Sequence, residues 1–196
     1  MFLTKWLLPL ALGMLSALPA QAAQFKLTYT GAGIDFDGVL TTGPLGVNPN
    51  FAGVPTPDTY LVTSVTGSRN GVPITGLVPL GSPGALAWEA AGGSFDNLVY
   101  QSGPFVDLGG FLYQADGILY NLFYVTAADI PGSSLPLPSY SEFALINGVF
   151  VPPFSVPDEL GNFVSINVTA IPEPASLLGA VVTLGMGSVF KRRVRS

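Results

Sequence analysis

Two residue types are missing from this sequence altogether, cysteine and histidine. Without cysteine there is no disulfide framework, even in a compartment that would tolerate one. The usual Cys/His zinc sites fall away as well. So do the Ser-His-Asp and Cys-His nucleophile arrangements, which need an imidazole as base. Charge is also scarce: charged residues make up 10% of the 196 positions, against 48% hydrophobic. That apolar content is too high for a disordered chain. So few charges beside 24 glycines and 18 prolines do not suit a helical protein. They suit short strands joined by many turns.

Basic residues are the rarest charges, seven in all, and they are unevenly placed. Lys191, Arg192, Arg193 and Arg195 lie in the last six positions, and Lys5 lies near the start. Residues 23–170 retain only Lys26 and Arg69 against eleven Asp and Glu, a net of −9. A body with that balance repels a phosphate backbone, so nucleic acid is not expected as a partner.

The first 22 residues read as a secretory signal peptide. Lys5 gives a positive start, Trp6 to Leu18 an apolar run of 13 residues, and Ala20-Gln21-Ala22 an A-x-A cleavage site. The expected cut follows Ala22. The run is short for a membrane span, which takes about 20 residues. At the other end, three features follow in order. Pro172-Glu173-Pro174 closes a polar segment, residues 175–190 carry no charge, and residues 191–196 form the basic tail. As a helix, the sixteen apolar residues rise roughly 24 Å, less than a hydrocarbon core of about 30 Å. They can still span if the arginines snorkel and the bilayer thins. The positive-inside rule keeps the tail in the cytoplasm, so the two ends predict the same topology. The proline pair holds the chain extended just before this helix, and Glu173 offers a charge at the membrane face.

Pro172-Glu173-Pro174-Ala175-Ser176-Leu177-Leu178-Gly179, the apolar stretch and Lys191-Arg192-Arg193 together resemble a PEP-CTERM sorting signal. The likeness covers residues 171–196 and is specific in its three-part order. It implies a membrane-embedded exosortase as processing enzyme, transient anchoring in the inner membrane, and transfer to the surface of a bacterium that makes extracellular polysaccharide. The body also resembles small β-rich PEP-CTERM proteins, over Tyr60 to Leu77 and at Asp96-Asn97-Leu98-Val99-Tyr100.

Between the two addresses, residues 23–170 alternate strand-like runs with turn signals. Phe25, Leu27 and Tyr29 interleave with Lys26, Thr28 and Thr30, the pattern of a half-buried strand. Tyr60 to Thr66 and Val72 to Thr75 flank a loop containing Asn70-Gly71. Asp116-Gly117 between two apolar runs is a type I′ hairpin signal, and Asn147-Gly148 marks a third turn. Asn162 to Thr169 supplies the last strand. No internal window shows helical periodicity. The expected fold is all-β, an antiparallel sandwich or flattened barrel of about eight to ten strands. The Pro-rich stretches 48–58 and 131–138 are expected as loops.

Candidate chemistry is thin. Asp35 and Asp37 alternate and point to one side, as calcium ligands do, but the rest of a calcium loop is missing. Asp96, Asn97 and Asp107 sit beside glycines, where turn formation competes with ligation. A carboxylate-only hydrolase needs a defined pair, and no pair stands out. Tyr100, Tyr113, Tyr120, Tyr124 and Tyr140 are candidates for a sugar-stacking face, although tyrosine is also an ordinary strand residue. The sequence thus points to an exported, non-enzymatic surface or matrix protein associated with exopolysaccharide, with no cofactor and no metal. The alternative is a carbohydrate- or calcium-binding module.

Overall fold

A computed structural model describes residues 22–31, 33–129, 137–151 and 162–172. The order of elements is β1 (Ala22–Gly31), β2 (Ile34–Pro44), β3 (Gly46–Pro49), β4 (Pro55–Arg69), β5 (Val72–Leu77), α1 (Pro83–Ala90), β6 (Leu98–Tyr100), β7 (Phe111–Ala115), β8 (Ile118–Val125), β9 (Ser139–Ile146), β10 (Val149–Val151) and β11 (Asn162–Ile171). Eight strands form a closed antiparallel ring in the order β1-β2-β4-β5-β7-β8-β9-β11, with β11 returning to β1. The fold is therefore a barrel, and of the two expected all-β forms the sandwich is set aside. Closure at this size leaves an interior that side chains alone can fill.

Local chemistry sets the hairpins. Asn70-Gly71, Asp116-Gly117 and Asn147-Gly148 all take positive φ at both positions, the geometry that joins twisted strands through two residues. They connect β4 to β5, β7 to β8, and β9 to β10. The first strand reaches Arg69, further than the expected end at Thr66. Where β2 meets β4, Gly67 lies opposite Gly38 at φ +131°, and a Cβ there would sit 2.1 Å from the Asp37 carbonyl oxygen. Only glycine fits that approach.

Two expectations need correction. The stretch 48–58 is not simply loop: Pro49 pairs with Pro55 in the β3–β4 ribbon. Strand β3 lies off the barrel ring and Pro55 is the first residue of β4, places where proline's missing N–H does no harm. The second is α1, which no periodicity announced. Ser82 Oγ accepts from Ala85 N at 3.3 Å and Pro83 opens the helix. This cap chemistry was the available signal, and eight residues are too few for a face to repeat.

Inward positions alternate along each strand. Leu27, Tyr29, Phe36, Leu40, Val65, Phe111, Tyr113 and Leu122 fill the barrel. A second cluster lies on the outer face of β7–β9, where Leu112, Leu119, Phe123, Phe143 and Leu145 pack against Ala85 and Trp88 of α1 and Phe150 of β10. Strand β8 is consequently buried on both faces from Leu119 to Phe123, and reads as a continuous apolar run. No helix among the described residues is long and apolar enough to cross a membrane.

Candidate functional site

The expected signal residues fall at the margins of the described structure. Ala22 begins β1, exposed and paired with Pro44. Pro172 follows β11 and is exposed. Ala20, Glu173, Pro174, the apolar stretch 175–190 and Lys191, Arg192, Arg193 and Arg195 lie outside the described residues. The register of β1 with β11 sets Gln24 opposite Ile171. The chain therefore enters the barrel and leaves it side by side, at the same end.

The most organised polar group in the molecule is inside the barrel. Glu142 on β9 is 1% exposed and faces the interior. Its Oε1 accepts from Arg69 Nε at 2.8 Å and Nη2 at 2.6 Å. Its Oε2 accepts from Tyr113 Oη at 2.5 Å and from Tyr29 Oη, and the two hydroxyls lie 2.8 Å apart. The guanidinium sits 4.0 Å from the centre of the Tyr120 ring, a cation–π contact. Burial, followed by the neighbouring tyrosine and glutamate, pushes Tyr29 well above its ordinary value. Burial and then Glu142 do the same to Tyr113. For Arg69 burial pulls downward, but the hydrogen bonds and charge of Glu142 outweigh it and the net shift is upward. Both oxygens of the carboxylate are bonded, as a buried charge requires. The four side chains thus form one bonded group that ties β1, β4, β7 and β9 together across the interior.

Asp96, Asn97 and Asp107 do converge, as a backbone clamp. Asp96 accepts from Phe51 N and Leu98 N, both at 3.1 Å. Asn97, in the left-handed region at φ +58°, bridges Val78 O and Leu112 N. Asp107 accepts from Gly109 N at 2.8 Å and from Tyr100 Oη at 2.7 Å. Burial, then the charge of Asp107, raises Asp96 to about 7. A carboxyl with that value can serve as a general acid, but Asp96 is 2% exposed and holds the 50s loop to the barrel.

The other candidates separate. Asp35 and Asp37 are exposed on the outer face of β2, where Asp37 pairs with Lys26 and Asp35 N donates to Asn70 Oδ1. No cluster of three metal-binding side chains exists among the described residues. The five tyrosines do not share an exposed face: Tyr113 and Tyr120 are buried in the barrel, Tyr100 is tied to Asp107, and Tyr124 packs on Tyr140 at 4.9 Å.

The sequence reading missed Glu142, Arg69, Trp88 and Asn121. Arg69 had one signal, being one of only two basic residues in the body. Asn121 had another, as the single polar residue within Ile118 to Val125. Compared with protein-family models, curated proteins and solved structures, the chain matches none.

Proposed function

We propose that this chain is an exported, non-enzymatic β-barrel protein of the cell surface or extracellular matrix, sorted through a PEP-CTERM signal and associated with exopolysaccharide. The observation that carries the reading is the pairing of Gln24 with Ile171. It sets the start of β1 and the end of β11 side by side, the two points that the expected leader and sorting segment adjoin in sequence. A body built this way can hang from the inner membrane by one end, with an extended proline-flanked peptide presented to an exosortase-type enzyme. Pro172 is exposed immediately after the last strand, in keeping with access by a protease-like site. The polar side chains best placed for chemistry, Glu142 and Asp96, are occupied in holding the fold, which supports a binding or structural role over catalysis.

The test is intact mass and cell fractionation, with and without alanines at Pro172, Glu173 and Pro174. The expected outcome is release of a wild-type form lacking the residues after the motif, while the variant stays in the inner membrane with its tail. Retention of residues 191–196 by both forms, with identical fractionation, would leave an ordinary membrane-anchored protein.

A further inference from the structure

The chain contains two Asn-Gly steps, Asn70-Gly71 and Asn147-Gly148. Each is the tip of a hairpin, with positive φ at both residues. Asparagine before glycine is open to self-modification, because no Cβ shields the following backbone nitrogen from the side-chain amide carbon. Access does not separate the two turns, since a Cβ on either glycine would meet nothing within 4 Å. Their asparagine side chains do. Asn70 Oδ1 accepts from Asp35 N at 2.6 Å, and its Nδ2 donates to Gly33 O at 3.0 Å. The Asn70 backbone N–H also donates to Asp35 O at 2.6 Å. Its amide is thus tied to the start of β2 and rotates only by breaking two bonds. Asn147 is exposed, and among the described residues nothing bonds its side chain. The strands differ as well. Both β4 and β5 have a second partner in the ring, β2 and β7, whereas β10 pairs only with β9 among the described residues, over three residues.

We infer that Asn147 is a self-modification site, converting to aspartate and isoaspartate with water as the co-reactant, while its fold protects Asn70. The Gly148 nitrogen attacks Asn147 Cγ. An N–C bond forms, the Cγ–Nδ2 bond breaks, and ammonia leaves with the proton of the Gly148 nitrogen. Water then opens the resulting five-membered imide at either carbonyl. One opening gives aspartate on the original main chain. The other gives isoaspartate, whose main chain runs through the side chain and is one carbon longer. A two-residue turn matched to the twist of its strands has no slack for that carbon. The strain falls on β10, whose Phe150 meets Trp88 edge-on at 4.8 Å and Phe143 at 6.2 Å. Isoaspartate at 147 therefore loosens the cover over Trp88, which is 2% exposed in the intact fold. Either product adds a negative charge to a body that already carries −9. None of this depends on the sorting signal.

Peptide mapping by mass spectrometry of the full chain tests this, after incubation in mildly alkaline buffer with and without urea. Unfolded, the two Asn-Gly steps should convert at similar rates. Folded, Asn147 should convert roughly thirtyfold faster than Asn70, the factor that two ordinary hydrogen bonds supply. Asn147→Asp installs a turn pair the chain already accommodates as Asp116-Gly117, and should remove most ammonia release from the folded protein. Trp88 is one of only two tryptophans, so Trp6→Phe makes it the sole indole reporter. Its emission should move to longer wavelength in step with isoaspartate at 147. Equal rates at the two steps in the folded protein, or a faster Asn70, overturn the proposal. So does an Asn147 that stays intact when folded yet converts in urea, undiminished ammonia release from folded Asn147→Asp, or unchanged Trp88 emission after full conversion.

Discussion

The same three strands, β7, β8 and β9, present their two faces to two different interiors. Inside the barrel, Glu142 accepts from Arg69 through one oxygen and from Tyr29 and Tyr113 through the other. Outside, under α1, Trp88 Nε1 and Asn121 Oδ1 have no partner, and the packing leaves a cavity. The inner space is closed on all sides by eight strands, so a buried charge there must be neutralised by residues of the ring itself. The outer space is roofed by one short helix and the small β10 strand, elements that can cover a face without filling it. The inner face is sealed by its own hydrogen bonds, whereas the outer face leaves two polar atoms unbonded.

The contrast can be broken most forcefully at Glu142. Glu142→Ala leaves a guanidinium that is 14% exposed without its counter-charge, and two buried hydroxyls without an acceptor. A loss of about 3–5 kcal/mol is expected, read as the shift in urea midpoint at constant slope. Pairing Glu142→Leu with Arg69→Met should recover much of it. If the single variant costs under about 1 kcal/mol, the inner network is not what holds the barrel.

A pH titration sharpens the comparison at the clamp joining the two regions. Asp96 is raised from 3.8 to about 7 by burial and Asp107, so the folded state binds a proton that the unfolded state releases. Stability contributed by that proton is fully present below about pH 4, is lost as pH rises towards 7, and is gone above. The drop should approach roughly 4 kcal/mol, and Asp96→Asn should abolish that slope. An identical slope in the variant would assign it elsewhere.

The finest test deletes one polar atom from each face. Tyr113→Phe removes a bonded hydroxyl and should cost about 1–2 kcal/mol. Replacing Trp88 by its sulfur isostere, 3-benzothienylalanine, deletes an unbonded N–H at nearly constant shape. It should change stability by less than about 0.5 kcal/mol, in the stabilising direction. Thermal unfolding of both variants at one pH compares them; equal losses would erase the distinction between the faces.

Much of the architecture was legible beforehand because its causes are local. The inward run Leu27 and Tyr29 followed from alternation, since side chains of a strand point to opposite faces at every step. Asp116-Gly117 and Asn147-Gly148 announced their hairpins because few residues tolerate positive φ twice in succession. The helix α1 escaped notice because eight residues cannot establish a period, although Ser82-Pro83 carried its cap. The tyrosines misled for a different reason: Tyr113 and Tyr124 look alike in sequence, and only the closed ring buries one and leaves the other half-exposed.

What the sequence determined by itself is the all-β class, the turns and the acidic body, all properties of composition and short spacing; the two terminal signals stand as its expectation. Tertiary structure alone decided that the ring closes through β8, β9 and β11, and that Glu142 meets Arg69 and Tyr29 across 73 and 113 residues of chain. It also decided which polar atoms were left without partners under α1. Those outcomes depend on strand order and on which face of each strand turns inward. Neither is written in any single stretch of residues, because one strand's pattern is satisfied equally well by many neighbours.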